Sequence, residues 1–407
     1  MPTAILDGPI EPSAASASRA TPLRVLDVTN FYSAASGGVK TYLNAKLRDF
    51  AERGVHHALV VPGSRYDVTV EGATRVYRLR GPPVPFSGYR FLLSPAALRR
   101  VIERERPDVI EIGGPFLPVL VRRAMGAVRV PLVGFYHSDL IRAYAESYAT
   151  FGVRPLRPLA GDLARRAIPR IYRRLDATVA GSATVADELR GLGIPRVHCV
   201  PLGVDLKMFT RRPGAAELLR ARCGVEPGVS IALYVGRFYH EKRLDVVLRA
   251  HERIERDRRP HLVLVGGGPQ RDRLVAESRR RERLTVLPYE RDPDALARLY
   301  SGADFYVAPG PGETFGLAIA EALACGLPVV AVASGAAPDR IAGSECGRLY
   351  PSGDVDACAA AFVEMSRAAP GLHDAARAHA RRTLDWRRTF DKLYGLYAEL
   401  AGRSTLA

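Results

Sequence analysis

The sequence predicts an α/β fold of two Rossmann-like domains, each a parallel sheet with helices on both faces, facing a common cleft. Three observations carry that expectation. Short apolar runs rich in β-branched residues alternate with longer stretches at helical spacing, the rhythm of a parallel sheet with helices on both faces. The rhythm breaks near Gly203, across a stretch holding Pro213, Gly214 and many arginines, and restarts at Ile231. The 407 residues also exceed one typical core, so two domains are expected. Open α/β sheets bind ligands outside the carboxyl ends of their strands, which puts the site between the two sheets.

Taken in order, residues 1–20 are rich in Ala, Ser and Pro, with no basic start and no apolar core, and read as a disordered tail rather than a signal peptide. In residues 21–203 the candidate strands are 24–29, 57–61, 75–79, 109–112, 132–136, 177–180 and 197–200, with helical spacing over 40–53 and 95–106. In residues 204–384 they are 231–235, 262–265, 284–287, 305–308, 329–332 and 348–350. The apolar stretch 322–338 is punctuated by Gly326, Pro328 and Gly335, so it reads as a helix end, a turn and a buried strand, not a membrane span. In residues 385–407, Trp386, Phe390, Leu393, Leu396 and Tyr397 recur at helical spacing and predict an amphipathic helix crossing back onto the first domain.

Composition is that of a soluble globular protein, 47% apolar and 25% charged. The formal charge of +16 comes almost wholly from arginine, since only five lysines occur (Lys40, Lys46, Lys207, Lys242 and Lys392). Two readings stand at this level: an arginine bias, or attraction to an anionic surface. Segment 140–175 concentrates the question, with eight arginines against Glu146 and Asp162 and with Tyr144, Tyr148 and Phe151 interleaved. It reads either as a solvated helix face or as a surface for anionic lipid head groups. A nucleic-acid-binding protein is the alternative of another class, but the basic residues are spread through the chain and no such motif occurs. Cys199, Cys223, Cys325, Cys346 and Cys358 form no Cys-x-x-Cys pair and fit reduced thiols in a cytoplasm.

Several strand ends carry residues suited to chemistry. The run 231–235 ends in Gly236-Arg237, and Lys242 follows where a helix is expected from about Glu241; fixed cations at a sheet edge suit a diphosphate. The run 305–308 leads through Pro309-Gly310-Pro311-Gly312 to Glu313, placed as a helix cap, with the helix expected over 314–324. That helix offers free amides near Phe315, Gly316 and Leu317, and it carries Glu321 about 12 Å from Glu313 along its axis. Carboxylates suit vicinal hydroxyls, and a buried Glu321 needs a partner. Gly37-Gly38 opens a helix in the first half, where backbone amides can approach a phosphate, and His137 follows the run 132–136. Gly266-Gly267-Gly268 makes a tight turn after a buried strand. Asp292-Pro293 reads as an N-cap followed by proline, and no catalytic metal is expected at either Asp-x-Asp pair, 292–294 or 354–356.

Together, Gly236-Arg237 with Lys242, Glu313 through Glu321, and Gly37-Gly38 with His137 resemble the retaining glycosyltransferases of family 4, which have the GT-B fold of two Rossmann-like domains. The resemblance spans residues 23–400 and implies the following roles. Arg237 and Lys242 bind the diphosphate of a nucleotide-sugar donor, and Gly236 and Gly38 approach it. Glu313 holds the transferred sugar, aided by amides around Phe315–Leu317, and His137 nears the same sugar. Glu321 binds the ribose, while Gly266, Gly267, Tyr289 and Arg291 line the base pocket. Segments 310–316 and 134–144 are similar to GDP-mannose-dependent α-mannosyltransferases and glycolipid glycosyltransferases. Tyr289-Glu290-Arg291 departs from the usual small-residue turn, which leaves a UDP-sugar as the alternative donor. Transfer to a lipid or glycan acceptor by same-face displacement, without metal, at the inner face of the plasma membrane or in the cytoplasm, completes the expectation. A sugar-nucleotide epimerase shares the cleft but not this set of residues, and a phosphorylase of this architecture needs a pyridoxal-binding lysine, for which no candidate stands out.

Overall fold

The computed structural model describes residues 22–32, 37–84, 89–114, 116–137 and 157–403, without the side chains of 157–161. The first domain contains β1 (Arg24–Thr29), α1 (Gly38–Glu52), β2 (His56–Gly63), β3 (Asp67–Glu71), β4 (Thr74–Arg80), α2 (Pro95–Glu105), β5 (Val109–Gly113), α3 (Leu117–Met125), β6 (Leu132–Phe135), α4 (Arg157–Tyr172), β7 (Ala177–Ala180), α5 (Ala183–Gly191) and β8 (Val197–Cys199). The second contains α6 (Ala215–Cys223), β9 (Ile231–Arg237), α7 (Leu244–Arg253), β10 (His261–Gly267), α8 (Arg271–Ser278), β11 (Leu284–Leu287), α9 (Pro293–Gly302), β12 (Phe305–Ala308), α10 (Leu317–Ala324), β13 (Val329–Val332), α11 (Ala337–Ile341), β14 (Gly347–Tyr350) and α12 (Val355–Thr383). A final helix, α13, spans Trp386–Leu400.

The first sheet has the order β3-β4-β2-β1-β5-β6-β7-β8 and the second β11-β10-β9-β12-β13-β14. The predicted α/β class and its two sheets are therefore present. In each sheet the order reverses beside the first strand of the domain, between β1 and β5 and between β9 and β12. Reversal sends neighbouring crossovers to opposite faces and leaves a crevice at the carboxyl ends, where ligands bind. The strands at these points are buried on both faces, which is why they read as continuous apolar runs.

One strand departs from the all-parallel expectation. β3 pairs antiparallel with β4 through a hairpin whose turn residue Gly72 has φ 61°. Its residues Asp67–Glu71 are mostly part-exposed at the sheet edge, so they carry no apolar run for the sequence reading to find.

Helix α13 returns to the first domain. Asp385 caps it through the Arg387 N–H (2.9 Å). Phe390, Leu393, Leu396 and Tyr397 enter one buried cluster with Tyr42, Phe50, Val133 and Phe135. At its end lies a buried polar knot. The Lys46 ammonium sits 2.7 Å from Asp27 Oδ1, 3.1 Å from Glu111 Oε2 and 3.1 Å from the Tyr397 hydroxyl. His57 Nε2 meets the other Asp27 oxygen at 2.9 Å, and the Tyr42 hydroxyl donates to Glu111 (3.0 Å). Burial pushes the Asp27 carboxyl up, but Lys46 and His57 together hold it below its ordinary range.

Candidate functional site

The site forms where the two reversal points meet. On the second-domain side, β9 and β10 run in register, with Gly266 opposite Gly236. A side chain at Gly266 would put its Cβ 1.9 Å from the Gly236 carbonyl, so only glycine permits this approach. After Arg237 the chain makes a single 3₁₀ turn, His240–Lys242, and Arg243 takes a left-handed conformation (φ 50°) before α7 begins. The helix expected from about Glu241 therefore starts at Leu244, and Lys242 sits on the turn rather than on the helix. The half-exposed Arg237 guanidinium lies over the Tyr239 ring (4.9 Å) with Glu241 at 3.4 Å. Lys242 donates from Nζ to Glu313 Oε1. Gly310 leaves room for that pair, since a Cβ there would lie 3.2 Å from Lys242 Cδ and 3.4 Å from Glu313 Oε1.

Glu313 is not a helix cap. Gly316 caps α10 in a left-handed conformation (φ 60°), and the helix starts at Leu317, not Thr314. The reason is tertiary: Phe315 leaves the second domain and buries its ring in the first, 5.8 Å from Phe135 and 5.7 Å from His137. No helix could begin at Thr314 and send Phe315 there, so the axial spacing expected between Glu313 and Glu321 does not apply. The Glu313 loop is braced from behind instead. Its carbonyl accepts the Ala336 N–H (2.7 Å), and Ser334 Oγ donates to the Pro311 carbonyl (3.0 Å). Glu321 projects from α10, and its Oε2 accepts the Tyr300 hydroxyl (2.9 Å). Burial pushes the Glu321 carboxyl up to about 7, against the pull of that hydrogen bond.

The first domain closes the other wall. Gly37 precedes α1, and a Cβ on Gly38 would lie 2.9 Å from Leu317 Cδ1, so the two helix N-termini meet across the cleft. His137 is buried, stacked on Phe135 (4.4 Å, 4°), and its carbonyl accepts the Thr314 hydroxyl (2.9 Å). Burial, helped by the Lys46 ammonium, pushes its pKa down to about 3, so the imidazole is neutral at neutral pH. Its Nδ1 has no hydrogen-bond partner among the described residues. A neutral imidazole has one N–H donor and one acceptor nitrogen, so it can hydrogen-bond a ligand, but it lacks the second proton that an imidazolium would give as a general acid. Tyr289, 54% exposed, stands beside Gly267, and Arg291 is exposed next to it, with its backbone N–H on Glu290 (2.8 Å).

Residues 230–367 match the family model for glycosyl transferases group 1, and residues 36–208 match that for glycosyltransferase family 4. A GDP-mannose-dependent alpha-(1-6)-phosphatidylinositol dimannoside mannosyltransferase of Mycobacterium tuberculosis is 31% identical over 316 residues, which cover 76% of this chain and 79% of that protein. A GDP-mannose-dependent alpha-mannosyltransferase of the same species is 31% identical over 380 residues, covering 88% of this chain and 92% of that one. The chain belongs to glycosyltransferase family 4. Sucrose-phosphate synthase from Thermosynechococcus elongatus shares its GT-B fold, with a TM-score of 0.76 at 22% identity over 94% of this chain and 100% of that one.

In this glycosyltransferase, then, the structure brings Lys242, Glu313, His137, Gly38 and Leu317 to one cleft. Glu321 and Tyr289 with Arg291 belong to separate parts of the second domain. Both Asp-x-Asp pairs serve helices: Asp292 caps α9 and Asp354 caps α12, while Asp294 pairs with Arg212 (2.8 Å) and Asp356 with Arg253. Sequence reasoning missed Tyr300, Asp339 and Arg340. A charged pair at 339–340, inside an otherwise apolar stretch, is the one signal that pointed to the last two. Of the basic segment 140–175, residues 140–156 lie outside the described residues. In the remainder, Arg165, Arg166, Arg170, Arg173 and Arg174 are exposed.

Proposed function

We propose that this enzyme transfers a hexose, mannose from GDP-mannose as the first reading, to a lipid or glycan acceptor with retention of anomeric configuration. The observation that carries the reading is the pairing of Lys242 with Glu313, next to the Thr314 hydroxyl that bonds to the His137 carbonyl. A cation and a carboxylate that share a hydrogen bond sit close enough to serve neighbouring parts of one donor, the diphosphate and the sugar hydroxyls. Arg237 and Lys242 stabilise the charge that grows on the leaving diphosphate, and Gly37, Gly38, Gly316 and Leu317 offer backbone amides nearby. Glu321 takes the ribose, and Gly266, Gly267, Tyr289 and Arg291 border the base. With Glu313 occupied by Lys242 and His137 neutral, attack on the same face, with the leaving phosphate taking the acceptor proton, fits the available groups better than double displacement.

The names of both mycobacterial relatives favour a GDP-mannose donor, and that of the first a phosphatidylinositol-type acceptor. A UDP-sugar is the second donor reading, favoured by the departure at Tyr289-Glu290-Arg291. Turnover of GDP-mannose, UDP-glucose and UDP-galactose, with the product anomer read by NMR, tests both points. An inverted product overturns the same-face step, and exclusive use of a UDP-sugar overturns the mannose reading.

Action at the inner face of the plasma membrane fits the exposed apolar side chains Phe116, Val119 and Leu163, which lie on or beside α3 and α4 among exposed arginines. Among the described residues no helix is long and apolar enough to cross a membrane. Co-sedimentation with phosphatidylglycerol vesicles at low salt is expected, with release as salt rises. Failure to bind at low salt removes this part of the reading.

A further inference from the structure

We propose that Asp339 and Arg340 are positioning residues that fasten the Glu313–Leu317 loop to the first domain, so that the sugar-side carboxylate is held in place by contact between the domains. The inference rests on the reading of Glu313 as the residue that holds the donor sugar.

Arg340 lies on α11 with 2% of its surface exposed; the adjoining Asp339 carboxylate favours its charge from a distance but bonds to Thr184 rather than to the guanidinium. Its Nε donates to the Phe315 carbonyl (2.6 Å) and its Nη1 to the Leu202 carbonyl (2.8 Å). Phe315 belongs to the donor loop, and Leu202 to the segment that joins the domains. Its own carbonyl is fixed by His379 of α12 (2.8 Å). A guanidinium buried with no carboxylate in contact is a costly way to fill space, and an apolar residue of the same size would pack more favourably. What the planar fork supplies instead is two donors held at a set separation, one for each side of the boundary.

The neighbouring residue crosses the same boundary. Asp339 Oδ2 accepts the Thr184 N–H (2.9 Å) at the start of α5, beside the Ser182 Oγ that accepts Val185 N–H (3.3 Å). One helix of the first domain is thus capped partly by its own serine and partly by a carboxylate from the other domain. Between these two fastenings lies Phe315. Its ring fits against Gly181, where a Cβ would stand 2.1 Å from Phe315 Cδ1 and 3.1 Å from the Thr314 carbonyl. Glu313 is two residues from that ring, so any shift of the Phe315 backbone moves the carboxylate as well.

The test compares Arg340→Met, Asp339→Asn and Gly181→Ala with Glu313→Gln in the full chain. Steady-state transfer, calorimetric titration with the nucleoside diphosphate and melting temperature are measured for each. The positioning role expects kcat to fall about tenfold or more in all three, because small misplacement of a reacting group has such effects. Diphosphate affinity is expected to fall less than kcat, by no more than about threefold, because the cations on the β9 side stay in place and only the Gly316 and Leu317 amides shift. Gly181→Ala acts from the first domain and leaves the residues of α11 unchanged, so it reports on the loop even where Arg340→Met folds poorly. A lowered melting temperature with kcat per folded molecule unchanged means a purely structural role and overturns the inference. Normal transfer by Glu313→Gln overturns the donor-loop reading itself, and the inference with it. Loss in Glu313→Gln with kcat retained in the other three overturns the fastening alone.

Discussion

Lys242 and Glu313 form a hydrogen-bonded pair at the bottom of the cleft, with side chains 17% and 30% exposed. Replacing Lys242 by alanine removes a charge from the leaving-group side and frees Glu313 at the same time. A fall in kcat of about 10²–10³ is expected, the size seen when one preorganised charge-stabilising group is lost. The melting temperature should barely move, since a part-exposed pair contributes about 1 kcal/mol or less. Near-normal turnover would remove Lys242 from the mechanism. Glu321 gives a second expectation with a definite sign. Its carboxyl is raised from 4.5 to about 7, so the folded chain keeps a proton that the unfolded chain has released. The stability this contributes is present below about pH 4.5 and is lost as pH rises through about 7. In the proposed role the ionised form accepts two ribose hydroxyl bonds, so the donor KM should rise as pH falls below 7. Glu321→Gln should flatten that profile, and an unchanged profile would count against the role.

At the scale of elements, α13 decides how the first domain is finished. Tyr397 brings a hydroxyl to Lys46, and Lys46 is the one cation in contact with both Asp27 and Glu111, among the described residues, in a site with almost no solvent. Lys46→Met leaves two carboxylates buried without a cation, and urea unfolding should show a loss of about 3–5 kcal/mol. A loss below about 1 kcal/mol would mean that the knot relaxes by taking up protons. The same elements show what a sequence discloses. Strands such as 24–29 and 305–308 were legible because burial on both faces leaves an unbroken apolar run. The β3 hairpin was not, because an exposed edge strand needs no such run. The need of Glu321 for a partner could be read from its apolar neighbours, but Tyr300 could not, lying in another helix. Lys242 and Glu313 could be named as site residues from their strand ends and spacing. Their direct contact, and the start of α10 at Leu317, depend on Phe315 finding a pocket in the other domain, which no local pattern encodes.

For the molecule as a whole, several histidines have been made neutral by burial. His137 is lowered to about 3 and His251 to about 4, from 6.5. Their unfolded counterparts bind protons that the folded chain refuses, so stability is full above about pH 6.5 and declines as pH falls toward 4. Each contributes a slope of up to about 1.4 kcal/mol per pH unit, His261, also lowered to about 4, adds to them, and Glu321 opposes only one of the three. The melting temperature should therefore drop between pH 6.5 and 5, and a rise would contradict these burials. The return of α13 carries a different kind of consequence. The first domain shares its core with Phe390, Leu393, Leu396 and Tyr397, so residues 24–199 are completed only by residues 386–400. While the protein is being made, the second domain has all its strands before the first has its last helix. The first half must then wait, with the apolar face around Tyr42 and Phe50 uncovered, until the ribosome has released the final turns.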